Sequence, residues 1–167
     1  GQCVAEIPKK RVFMTSQRWL GTQIGGAAVA DARCQAAADA AGIGGQWKAF
    51  ISDSQSPVES RFNKFDGWYV RMDCVRIARS WSALIQPPLE APINVDEYGN
   101  AGPISNFGNF RLAYTGTTPD GRTWDTCGDW SGSGTTNVGN ADDAYFWAYS
   151  WVFTCDWMTA SMYCFEQ

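Results

Sequence analysis

Apolar and polar positions alternate along this chain in short pieces, and only one stretch carries a sustained helical period. Residues 27–42 are dominated by alanine, the best helix former, and end at Gly42, where a glycine is expected just past a helix C-terminus. The spacing places Val29, Ala30, Cys34, Ala37 and Ala41 on one face, small enough for the helix to lie close against a sheet. Ahead of it, residues 12–23 mix aromatic, β-branched and polar side chains as a half-buried strand does, with an exit turn at Gly25-Gly26. Ser56-Pro57-Val58-Glu59 predicts a second, short helix, with serine as cap, proline first and glutamate near the start, ending by Asn63. Residues 68–73 read as a strand leading into Cys74, and residues 77–85 as a further helical turn or two.

Beyond Pro87-Pro88 the pattern changes. Short apolar pieces broken by glycine, asparagine, proline and aspartate run to about residue 143, which predicts a long, loop-rich segment with a turn at Pro119-Asp120-Gly121-Arg122. Residues 145–153 then alternate aromatics as a strand would, and a short apolar strand between Cys155 and Cys164 closes the chain. No internal repeat or low-complexity tract appears. A length of 167 residues suits a single domain, 1–167, of α+β class.

Six cysteines without a single histidine argue for disulfides over metal ligation, and hence for an extracellular or cell-surface setting. Six cysteines allow fifteen pairings, so the count leaves the connectivity open. No apolar run is long enough to cross a bilayer and no basic-then-apolar leader opens the sequence, so the chain is expected to be soluble, and processed or excised from something larger. A formal charge of −4 gives no footprint for nucleic acid, anionic lipid or heparin.

The lack of histidine removes Ser-His-Asp and Cys-His nucleophiles. Carboxylates remain, namely Asp129, Asp142 and Asp143, although a glycosidase needs two of them about 5–10 Å apart across a bond. Solvated or turn-forming roles are the commoner use of such residues, so no catalytic group is assigned. Two oxygen-rich stretches suggest calcium: Asn94-Val95-Asp96-Glu97-Tyr98-Gly99-Asn100, and Asp129 with Asn137, Asn140 and Asp142. Neither is an EF-hand, and aspartates and asparagines folding loop backbone are the preferred reading, with no cofactor expected.

Nine tryptophans exceed what a core of this size needs. Trp124, Trp130, Trp147, Trp151 and Trp157 concentrate near polar, flexible segments; Trp47, Trp68, Trp81 and Trp151 are expected to be largely buried, and for Trp124 and Trp130 a core role and a binding role both stand. Indole faces stack on sugar rings while short polar side chains take the hydroxyls, and protein epitopes are anchored by the same residue types. The candidate ligand-binding set is therefore Trp124, Asp129, Trp130, Asn137, Asn140 and Asp142, on a loop face between about residues 100 and 147.

Several segments together resemble endostatin, the carboxy-terminal domain of certain collagens. They are residues 30–52, including Cys34 and Trp47-Lys48-Ala49-Phe50-Ile51-Ser52; Ser80-Trp81-Ser82-Ala83-Leu84; Tyr114-Thr115-Gly116-Thr117-Thr118-Pro119-Asp120-Gly121-Arg122; Cys127-Gly128-Asp129-Trp130; and Cys155 through Cys164-Phe165-Glu166. The likeness spans roughly residues 27 to 167 and is nearer to the endostatin-like domains of leptospiral and other bacterial surface proteins. It implies a loop-rich C-type-lectin-like fold, an adhesive role, and the pairs Cys34–Cys164 and Cys127–Cys155. Cys3 and Cys74, which have no counterpart there, are left as a third pair. Endostatin's zinc histidines and heparin-binding arginines are missing, as are the calcium motifs of sugar-binding C-type lectins, so none of those activities carries over.

The resulting expectation is a recognition and adhesion module of a bacterial surface or fibre protein. It would bind a glycan or surface protein of a host or target cell and be capable of sitting as a homotrimeric fibre head. The rivals are a secreted carbohydrate-active enzyme using loop carboxylates and a purely structural trimerising cap.

Overall fold

The computed structural model describes Cys3 and residues 6–167. In chain order the elements are β1 (Lys9–Met14), β2 (Trp19–Leu20), a 3-10 turn (Gly21–Gln23), α1 (Ala27–Ala40), β3 (Trp47–Ala49), α2 (Val58–Arg61), β4 (Trp68–Arg71), β5 (Arg76–Ala78), α3 (Trp81–Leu84), β6 (Leu112–Tyr114), β7 (Thr135–Asn140), β8 (Trp151–Thr154) and β9 (Thr159–Glu166). Helices and a mixed sheet of nine strands make the protein α+β.

The sheet runs β5-β4-β1-β9-β6-β7-β8, with β2 and β3 also paired to β9. β9 is thus the hub. It runs antiparallel to β1, β2 and β3 and parallel to β6. Its six inner residues are all buried, because successive side chains point to opposite faces and both faces are covered. Ala160, Met162 and Cys164 join a cluster with Ala30, Cys34 and Ala38 of α1, Trp47 and Trp130. Tyr163 and Phe165 join Phe50, Phe62, Tyr69, Trp81 and Trp147 in a second cluster.

α1 buries Ala27, Ala30, Cys34 and Ala38, so the buried face lies slightly off the expected one and Val29 is exposed. The helix stops as expected: Gly42 has φ +66°, its N–H donates to the Asp39 carbonyl, and the Ile43 N–H donates to Ala38, the paired bonds of a Schellman motif. α2 begins at Val58 rather than at the proline, and it is the Ser52 hydroxyl, not Ser56, that accepts the Val58 N–H, at 3.0 Å.

Three expectations need correction. Ile77 and Ala78 belong to a strand antiparallel to β4, and only residues 81–84 are helical, capped by Ser80. The loop-rich stretch contains β6 and β7, the latter with Val138 as its sole aliphatic side chain. Residues 145–150 are not a strand: Asp143 Oδ1 accepts the N–H groups of both Tyr145 and Phe146, folding the segment into a loop before β8 starts at Trp151.

Three disulfides are present, Cys3–Cys74, Cys34–Cys164 and Cys127–Cys155. The second ties α1 to β9 across 130 residues. Such bridges belong to oxidising surroundings. Among the described residues no helix is long and apolar enough to cross a membrane.

Candidate functional site

The turn at residues 118–121 sets the position of the one aromatic candidate that faces solvent from the loop segment. The Gly121 N–H donates to Thr118 and the Thr118 N–H to Arg122, while Thr117 and Thr123 form an isolated bridge. Gly121 has φ +85°, and a side chain there would meet the Glu59 backbone about 3 Å away, so this hairpin abuts α2 closely. One residue past the bridge, the Trp124 N–H donates to Gly116 at 2.8 Å, and its side chain stands 53% exposed.

Opposite lies the 141–150 loop. Its turn is made by Asn140 and Asp143: Asn140 Oδ1 accepts the Asp142 N–H, the Asn140 carbonyl accepts the Asp143 N–H, and the Asn140 N–H donates to Phe146. Tyr145 and Phe146 are thereby held outward, 56% and 49% exposed, while Trp147 next to them is buried among Phe50, Tyr163 and Phe165. Trp124, Tyr145, Phe146, Tyr149, Pro87, Thr118 and Pro119 line a groove of about 400 Å³. Trp124 and Tyr149 meet nearly at right angles, centroids 6.1 Å apart. This is a preformed apolar cleft with hydroxyls at its border, the composition typical of small-ligand sites.

The six candidate residues separate. Trp124 lies in the groove. Asn140 builds the loop that presents Tyr145 and Phe146, and Asp142 is bonded to Asn94 Nδ2 at 3.0 Å and paired with Arg111 at 3.4 Å. Trp130 is a correction, because it is fully buried against Tyr114 and donates its indole N–H to the Ser52 carbonyl at 2.8 Å. Asn137 is a second correction. It is fully buried, with Nδ2 donating to Thr115 Oγ1 at 2.9 Å and to the Thr117 carbonyl at 2.7 Å, and so joins β7 to the 115–117 segment. Asp129 accepts from the Ser54 N–H and hydroxyl, and those bonds hold its carboxyl below the usual carboxylate range.

Cys127, Gly128, Asp129 and Trp130 all have φ between +55° and +64°, so they form one left-handed helical turn. A left-handed turn costs roughly 1–2 kcal/mol for each residue with a Cβ. The Cys127–Cys155 bridge, the Thr126 cap on the Asp129 N–H, the Asp129–Ser54 bonds and the burial of Trp130 hold it in place. Of the two stretches considered for calcium, the 94–100 segment is a backbone turn in which Asp96 Oδ1 accepts the N–H groups of Tyr98 and Asn100, and the second set is divided, with Asn137 buried in β7 and Asp142 paired with Arg111. Among the described residues no group of three or more histidines, cysteines, aspartates and glutamates could hold a metal ion.

Trp47 and Trp81 are buried as expected, and Trp68 and Trp151 are half-buried. Trp151 belongs instead to a second aromatic surface with Phe107, Phe110, Phe153 and Trp157, beside β8 at the end of the sheet. A strand over residues 145–153 would send Tyr145 and Phe146 to opposite faces and leave no such groove. Asp142-Asp143 directly before Tyr145-Phe146 is the signal that marks a turn.

In comparison with known proteins, no family model matches the chain and no curated protein matches its sequence.

Proposed function

We propose that this chain is an extracellular recognition module of endostatin-like, C-type-lectin-like type, from a bacterial surface or fibre protein, and that it binds a glycan of a host or target cell rather than catalysing a reaction. The observation that carries the reading is the exposed Trp124 facing Tyr145, Phe146 and Tyr149 across a groove bordered by hydroxyls. Exposed indole and phenol rings left on a surface are the platforms on which pyranose faces stack, and a rigid hairpin limits the ordering cost of binding. The disulfide pairs Cys34–Cys164 and Cys127–Cys155 support the endostatin-like assignment.

A glycan array is the test, run with the native chain and with Trp124→Ala. The native chain is expected to retain a defined subset of glycans, and the variant to lose them with an unchanged melting temperature. Binding that survives Trp124→Ala would place the ligand elsewhere.

One observation favours a second reading. Phe110, Val152 and Trp157 are exposed in or beside edge strand β8, where a structural cap would meet its neighbours in a homotrimer. Sedimentation equilibrium distinguishes a trimer from a monomer.

A further inference from the structure

Trp124 lines two grooves. Beyond the aromatic groove, Trp124, Thr118 and Pro119 also line a second cleft of about 440 Å³ with Ile85, Asp120, Arg122 and Thr123. The two are unlike. The first is walled by rings and prolines. The second carries an exposed ion pair, Arg122 Nε to Asp120 Oδ2 at 3.1 Å, and the hydroxyl residues Thr118 and Thr123. Each volume is in the lower range of sites that enclose a small ligand.

We infer that the glycan recognised here is a neutral chain of at least two sugar rings lying across Trp124, one ring in the aromatic groove and the next against Asp120 and Arg122. This rests on the reading of the Trp124 groove as a glycan site. A pyranose presents an apolar C–H face and a polar hydroxyl edge. The corner between Trp124 and Tyr149, with the rings at 86°, matches the first surface. A carboxylate that accepts beside a guanidinium that donates matches the second, because a sugar hydroxyl does both. The two grooves share Trp124, Thr118 and Pro119, so a ligand confined to one of them leaves the lining of the other in water.

Charge selects the class. Asp120 and Arg122 balance each other and are, among the described residues, the ionisable side chains that line the polar cleft. A sugar carboxylate or sulfate placed there would meet Asp120 as well as Arg122, on a chain of net charge −4. Neutral glycans suffer no such repulsion.

The experiment is a calorimetric titration with the methyl glycosides of glucose, galactose, mannose and N-acetylglucosamine, their linear di- and trisaccharides, and a uronic-acid disaccharide. At least one neutral series is expected to gain about tenfold or more in affinity from one ring to two or three, and the uronic-acid probe is expected to bind more weakly than its neutral counterpart. Arg122→Gln, on an exposed side chain whose loss leaves folding intact, is expected to bring the trisaccharide's affinity down to that of the monosaccharide. Equal affinity for one and three rings would overturn the two-groove inference while leaving a glycan site at Trp124. Preference for the acidic probe would overturn neutrality alone. If no glycan of any length binds, the glycan reading fails and this inference fails with it.

Discussion

The indole N–H of Trp130 reaches the backbone carbonyl of Ser52 at 2.8 Å, and that bond joins the disulfide-closed 127–155 loop to the segment that follows β3. Ser52 is itself buried and its hydroxyl also receives the Val58 N–H and the Thr117 hydroxyl, so three separate stretches of chain converge on one serine. Trp130 therefore belongs to the core. Trp130→Ala is expected to cost about 3–5 kcal/mol, as large aromatic truncations do. Trp130→Phe, which keeps most of the ring but strands the Ser52 carbonyl, is expected to cost about 1–3 kcal/mol. Chemical denaturation of both variants checks the order, and glycan affinity of the folded fraction should be unaltered.

Gly139 lies where the backbone at Trp147 passes directly over it. A Cβ built there would lie 1.6 Å from the Trp147 carbonyl oxygen, which nothing short of moving the 146–148 backbone relieves. Gly139→Ala is expected to destabilise by about 3 kcal/mol or more, and to disturb Phe146 in the groove along with Trp147 in the core. A melting temperature within a degree of native would contradict this packing.

Arg11 and Glu166 form a two-pronged pair, Nη2 to Oε1 at 2.8 Å and Nε to Oε2 at 2.9 Å, with the Arg11 backbone N–H adding a third bond. Burial pushes the Glu166 carboxyl up, but the bonds and charge of Arg11 outweigh it and hold the group below its ordinary value. A carboxyl whose pKa is depressed on folding stabilises the protein above its unfolded pKa and loses that contribution as pH falls through the folded one. Glu166→Gln should therefore cost about 2 kcal/mol at neutral pH and flatten the stability profile in acid. Urea titrations between neutral pH and about pH 2 measure the slope, and parallel profiles for native and variant would remove the pair from the account.

Cys34–Cys164 closes the longest loop in the chain, 130 residues. The double substitution Cys34→Ala with Cys164→Ala is expected to lose about 2–5 kcal/mol, a larger loss than for the corresponding change at Cys127 and Cys155, which closes 28 residues. The longer loop restricts the unfolded chain more. Paired thermal melts under oxidising conditions give the ranking directly.

Much of this architecture was legible in the residues. The alanine run and Gly42 specify α1 and its end because propensity and cap act locally, and Pro119-Asp120-Gly121 specifies its turn for the same reason. β7 was not legible. Thr135, Thr136, Asn137, Gly139 and Asn140 look like loop, and they pair as a strand because β6 and β8 lie on either side of them, with Asn137 Nδ2 also donating to Thr115 Oγ1 and the Thr117 carbonyl, 22 and 20 residues away. The site was half legible for a related reason. Trp124 and Trp130 sit on similar sequence textures, and only the tertiary neighbours Ser52 and Tyr114 draw the second inward. The aromatic partners of Trp124 are not legible from alternation, which predicts an extended strand where Asp143 turns the chain at Tyr145 and Phe146.

The hub position of β9 also dictates when this protein is able to fold during its synthesis. β1, β2, β3 and β6 all pair with it, and β2 and β3 pair with no other strand among the described residues. The ribosome delivers residues 159–166 after all of those strands have been made. Until then the nascent chain holds four strands with an open side, and α1 has no Cys164 to bridge. Contacts this distant in sequence form slowly because the intervening chain must be closed first. The sheet therefore becomes continuous only once residues 159–166 stand between its two halves, β5-β4-β1 on one side and β6-β7-β8 on the other.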